Sequence, residues 1–104
     1  MRLRIAPTAD ADLDEIWLFL ARKTGNLDFA TQVVDSISEK FALFVRFPFM
    51  GRRHAGNNSG DMRSFPIDDY IIFYRVRRGE VQIVRVLHGS RNAEATFTEE
   101  ESAD

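Results

Sequence analysis

Tyr70-Ile71-Ile72-Phe73-Tyr74-Arg75-Val76 decides the fold. Aromatic and β-branched residues fill it, and turn residues bound it on both sides, Asp68-Asp69 before and Arg78-Gly79 after. Such a run reads as a β-strand. Val81-Gln82-Ile83-Val84-Arg85-Val86-Leu87 follows the second turn and reads as its hairpin partner. Upstream, Met62 to Ile67 is a shorter extended stretch, in which Pro66 signals an edge strand or a bulge. Two adjacent hairpins make an antiparallel meander. Alternation puts Tyr70, Ile72, Tyr74 and Val76 on one face of the central strand and Ile71, Phe73 and Arg75 on the other. Both faces carry large apolar groups, so one is expected to meet the rest of the chain and the other a partner.

The first half supplies the cover. Leu13, Ile16, Trp17, Leu20 and Ala21 recur at helical spacing, and so do Ala30, Val33, Val34, Ile37, Phe41 and Phe44. Thr8 is the expected cap of the first helix, and Asp10, Asp12, Asp14 and Glu15 load its opening turns, where the helix dipole favours negative charge. Gly25 ends it, a second helix begins near Asn26 to Asp28, and Pro48 stops that one near Phe47. So short a connection makes the two an antiparallel αα-hairpin. Arg2 to Ala6 alternate as a short half-buried strand ending at Pro7. The order β-α-α-β-β-β implies an α+β fold, an antiparallel sheet with an N-terminal helical hairpin on one face. Trp17, on the apolar stripe, is expected in the core between helix and sheet.

At 104 residues the chain has room for a single domain, and 44% hydrophobic residues exclude disorder. It has no cysteine, so disulfides, thiolate catalysis and cysteine-bound zinc are excluded. No apolar run approaches the ~20 residues of a membrane span, and residues 1–6 lack the apolar stretch of a secretory signal. A cytoplasmic protein without a membrane partner is expected.

The net charge of −2 conceals an asymmetry. Residues 46–92 carry nine basic side chains, all arginine, against four acids, whereas residues 93–104 carry five acids and no base. Arginine forks suit phosphate or carboxylate, so an anionic partner fits the middle segment; a solvated sheet face is the simpler alternative. The acidic end is also able to shield that face. Residues 99–104 are expected to fray.

Met62-Arg63-Ser64-Phe65-Pro66-Ile67, the Tyr70–Val76 strand and Ile83-Val84-Arg85-Val86-Leu87-His88-Gly89-Ser90-Arg91-Asn92 together resemble ParE toxins of the RelE/ParE superfamily. Ala9, Asp12, Leu13, Ile16 and Trp17 opening the first helix fit as well, as do Phe47-Pro48-Phe49-Met50-Gly51-Arg52 closing the second. The resemblance spans about residues 3–92, within a single toxin domain of residues 1–98. Asn92 departs from it, standing where the family usually has Asp. The resemblance implies the toxin of a type II toxin–antitoxin module that poisons DNA gyrase. It implies neutralisation by a ParD-like ribbon-helix-helix antitoxin, contact with operator DNA only through that antitoxin, and no cofactor or metal.

The RelE branch of the superfamily cleaves messenger RNA on the ribosome, which requires cations for the phosphorane and an acid–base group. Arg63 and Arg91 match its basic positions, but Phe97 stands where its catalytic tyrosine would fall, and phenylalanine has no proton to transfer. The only lysines, Lys23 and Lys40, lie in the helices. A non-enzymatic inhibitor is therefore expected; a ribosome-dependent endonuclease and an inactive relic are the alternatives. Arg63, Tyr74, Arg85, His88 and Arg91 are the candidate target- or antitoxin-binding residues. Against this, the arginines would brace the sheet on Asp61, Asp68 or Asp69, and His88 would hydrogen-bond backbone at a strand end. His54 reads as a solvated loop residue. No His/Asp/Glu cluster at ligand spacing suggests a metal site.

Overall fold

A computed structural model describes residues 1–54 and 62–89. Strand β1 (Arg2–Ile5) leads into helix α1 (Pro7–Thr24) and helix α2 (Leu27–Arg46). A two-residue strand β2 (Arg52–Arg53) then precedes the meander β3 (Met62–Ile67), β4 (Tyr70–Arg77) and β5 (Glu80–His88). The sheet order is β1-β5-β4-β3-β2. The α+β class and the helical hairpin agree with the sequence reading. The sheet is mixed, however, because β1 lies parallel to β5 with Leu3 opposite Val81 and Ile5 opposite Ile83. A parallel partner needs a crossover, and the helical hairpin provides one. β1 is also more exposed than alternation suggested, since it forms one edge of the sheet.

The meander turns are built as their residues require. Arg78 and Gly79 both take positive φ, 51° and 74°, the geometry that lets a two-residue loop follow the twist of its strands. Pro66 sits where β2, paired only with Arg63 and Ser64, no longer reaches, so its missing N–H leaves no ladder bond unmade. Between helices and sheet, Ala9, Leu13, Ile16, Ile37, Phe41 and Phe44 close on Tyr70, Ile72, Tyr74, Val81, Ile83 and Val86. Trp17 lies elsewhere than expected: half-buried, it donates from Nε1 to Thr31 Oγ1 at 3.0 Å and ties α1 to α2. The opposite face carries Met62 and Phe73 with Ile71, Val84 and Leu87. Phe73 at its centre is only 1% exposed, while Ile71, Val84 and Leu87 around it are half-buried.

The junction of α1 with β5 corrects the expected cap. Ala6, not Thr8, occupies the N-cap, with no side-chain cap bond, and Pro7 opens the helix where its missing N–H is harmless. β1 pairs with β5 only as far as Ile83, whose carbonyl takes the Ala6 N–H at 2.9 Å. Beyond that point α1 side chains continue the ladder. Thr8 Oγ1 donates to the Val84 carbonyl at 3.0 Å, and the Val86 N–H donates to Asp12 Oδ2 at 2.9 Å. Asp12 also receives Arg85 Nε at 2.8 Å and Nη2 at 3.1 Å, a forked ion pair. A free strand edge is thereby closed by a helix.

Removing the Asp12 carboxylate would leave the Val86 N–H and the Arg85 fork without it. Asp12→Ala is predicted to lower stability by about 3 kcal/mol, read by urea denaturation. Asp14→Ala, an exposed change two residues along the same helix, is the control, and should stay within about 0.5 kcal/mol. Equal effects of the two would refute this role for Asp12.

Candidate functional site

Two of the candidate residues, Arg63 and Tyr74, are cross-strand partners on β3 and β4. Both reach the turn that follows α2. The Tyr74 ring is fully buried and stacks on Phe44, centroids 4.2 Å apart and planes 10° from parallel, while Phe65 meets Phe44 edge-on. Its hydroxyl donates to the Pro48 carbonyl at 3.0 Å and accepts the Gly51 N–H at 2.8 Å. Burial pushes the Tyr74 phenol upward, while the Gly51 N–H and the Arg63 charge pull it down; the net direction is up. The hydroxyl therefore keeps its proton, and its donor role, throughout the neutral range.

Arg63 completes the brace. Its Nη1 donates to the Gly51 carbonyl at 2.9 Å and to the Phe49 carbonyl at 3.2 Å, and its guanidinium lies 4.9 Å from the centre of the Phe49 ring. Gly51 is required here by space, not by φ. A Cβ on it would sit 2.6 Å from the Tyr74 hydroxyl and 3.0 Å from the Ser64 carbonyl. Outside this frame stand Phe47, Phe49 and Met50, which are 54%, 66% and 40% exposed, with Arg46 placed over the Phe47 ring at 5.6 Å.

The other candidates are dispersed. Arg85 is held at α1 by Asp12, an acid that sequence reasoning assigned to the helix dipole and not to an ion pair. Asp68 and Asp69, the expected braces, lie exposed in the β3–β4 turn, and Asp61 lies outside the described residues. His88 ends β5 opposite Tyr70 and meets that ring edge-on at 5.2 Å. Burial raises the Tyr70 phenol, and the charge of Asp69 raises it further. Arg91 and Phe97 lie outside the described residues. His54 is not a solvated loop residue. It is half-buried, its backbone N–H donates to the Met62 carbonyl at 2.9 Å, and its Nε2 lies 2.6 Å from Ser64 Oγ. Two of the candidate arginines thus serve as structural braces, Arg85 at the start of α1 and Arg63 at the turn that follows α2.

Among the described residues no three His, Asp or Glu side chains stand together to hold a metal, and no helix is long and apolar enough to cross a membrane. Gly51→Ala is predicted to push the Tyr74 hydroxyl off the turn and to destabilise the fold by about 1–3 kcal/mol. Gly51→Ala in a Tyr74→Phe background should recover part of that loss, because the hydroxyl contact at 2.6 Å is gone while the ring Cε1 contact at 2.7 Å remains. Equal losses in both backgrounds, measured by thermal denaturation, would contradict the contact.

The chain has relatives of matching architecture. Toxin ParE1 of Caulobacter vibrioides is 32% identical over 92 residues, which cover 88% of this chain and 93% of that protein. A chain of the chromosomal ParDE toxin–antitoxin system from P. aeruginosa superposes with a TM-score of 0.73 at 25% identity, covering 85% of this chain and 95% of its own length. The fold also matches a chain of the RelBE2 toxin–antitoxin complex from Mycobacterium tuberculosis, with a TM-score of 0.62 at 21% identity over 84% of this chain and 95% of that one. A family model described as the ParE toxin of the type II toxin–antitoxin system, parDE, matches residues 3–93. With nearly its whole length inside that match, this chain belongs to the ParE toxin family of type II toxin–antitoxin systems.

Proposed function

We propose that this toxin acts as its family resemblance implies, by binding DNA gyrase and blocking its cycle, and that a ParD-like ribbon-helix-helix antitoxin neutralises it. It reaches operator DNA only through that antitoxin, and it works in the cytoplasm without a cofactor. The observation that carries the choice of inhibitor over ribonuclease is the state of the two described candidate arginines. Arg63 donates to two backbone carbonyls and Arg85 is forked onto Asp12. A phosphorane needs guanidinium donors aimed at developing charge, and these already hold acceptors of the fold. Phe97 at the tyrosine position supports the same reading from sequence.

An antitoxin segment has apolar surface to cover. Leu3 and Ile5 are exposed on the edge strand β1, and Leu18 and Phe19 line a shallow groove on α1 with Glu15, Arg22 and Lys23. Exposed apolar residues on an unpaired edge and a helix face suit an extended, wrapping partner.

A supercoiling assay with purified gyrase and ATP tests the proposal. The toxin should inhibit supercoiling with accumulation of cleaved DNA, and the antitoxin should relieve the block. Unimpaired supercoiling at excess toxin would overturn it.

A further inference from the structure

The turn braced by Tyr74 and Arg63 is a rigid support for side chains that point into solvent. We propose that this knob, Phe47, Phe49 and Met50 framed by Arg46 and Arg52, is the surface through which the toxin engages its target, and that the target is a protein presenting carboxylates around an apolar recess. The inference rests on the reading of this chain as a toxin directed at a protein, and assigns the surface that does the work.

Three observations converge on it. First, Phe49 is among the most exposed large apolar side chains of the described residues, and Phe47 and Met50 stand beside it. Adjacent apolar exposure of this kind marks a contact surface. Second, the backbone beneath is pinned at the Pro48, Phe49 and Gly51 carbonyls and at the Gly51 N–H, and Met50 N–H closes the turn on the Phe47 carbonyl at 3.1 Å. A pre-organised anchor loses little freedom on binding, which is how a few residues come to dominate an interface. Third, residues 41–54 contain no acid, and among the described residues Arg46 and Arg52 make no ion pair. The exposed charge is of one sign, so the complementary surface is acidic.

The same geometry favours a protein over a nucleic acid. A guanidinium already lies over each ring, Arg46 over Phe47 and Arg63 over Phe49. A base would have to compete for those positions to stack. Arg63 directs Nη1 at carbonyls of the turn, not outward to a phosphate. Met50 adds an adaptable thioether suited to apolar side chains. The exposed residues on α1 differ in kind: Leu18 and Phe19 lie among Glu15, Arg22 and Lys23, a mixed-charge surface with no preference for an acidic partner.

The test compares the full-length wild type with Phe49→Ala and with the double variant Arg46→Glu/Arg52→Glu, both of which change exposed side chains and leave the core intact. Growth arrest on induction, affinity for purified gyrase, affinity for a short single-stranded RNA, and retained binding to the cognate antitoxin are read for each. The expected result is loss of growth arrest and a roughly tenfold or greater weakening on gyrase, with the antitoxin complex and melting temperature unchanged. Undiminished arrest by both variants would overturn the assignment, as would RNA binding by the wild type that the variants lose. If the wild type arrests growth without binding gyrase and the variants do not arrest, the gyrase reading fails and the knob stands. If both variants inhibit gyrase as the wild type does, the knob falls and the gyrase reading stands.

Discussion

One hydroxyl holds the turn between α2 and the sheet in place. The Tyr74 oxygen sits between the Pro48 carbonyl and the Gly51 N–H, at the bottom of a well whose walls are Phe44 and the β3 backbone. Both backbone groups belong to the chain just after a twenty-residue helix, where carbonyls lose their intrahelical partners. The central strand thus holds the chain that leaves α2 and re-enters the sheet as β2. Gly51 is the counterpart of this arrangement, because only a residue without Cβ allows the phenol so close.

A second brace does the same at the far side of the helical hairpin. β5 is longer than its parallel neighbour β1, and the unpaired part of its edge would invite another strand. Thr8 and Asp12 occupy that edge from α1, and Arg85 clamps Asp12 in place. Helix and sheet are locked by polar bonds where α1 begins and where α2 ends, beside the apolar core. This division explains how a protein with large apolar groups on both sheet faces keeps its helices in one register.

The fold was legible because its signals are local. Strand alternation in Tyr70–Val76, the Arg78-Gly79 turn, the helical stripes and the Gly25 and Pro48 boundaries each act within a few residues, and the helices and meander fall where these place them. What was illegible depends on distance along the chain. No pattern links Asp12 to Val86, so an acid in the first turns of a helix reads as a dipole partner. The parallel pairing of β1 is likewise invisible, since alternation carries no direction. The candidate residues Arg63, Tyr74 and Arg85 were picked out by type and family resemblance, but their type does not say that they hold backbone and an internal carboxylate. The exposed residues they support, Phe47, Phe49 and Met50, fit the pattern of a helix end, and one-dimensional spacing does not show that they project from a braced turn.

A toxin that works by binding needs a surface that is already shaped before its target arrives. Here the bracing residue is buried and the side chains proposed as the binding surface are exposed, so the two are separable by mutation. Tyr74→Phe keeps the ring stacked on Phe44 and removes the oxygen that holds the Pro48 carbonyl and the Gly51 N–H, leaving the Arg63 bonds to the turn. The decisive measurement is growth arrest by Tyr74→Phe in a protein shown to remain folded and bound by its antitoxin. Arrest is expected to be lost or strongly weakened. Arrest equal to that of the wild type would contradict this role of the hydroxyl.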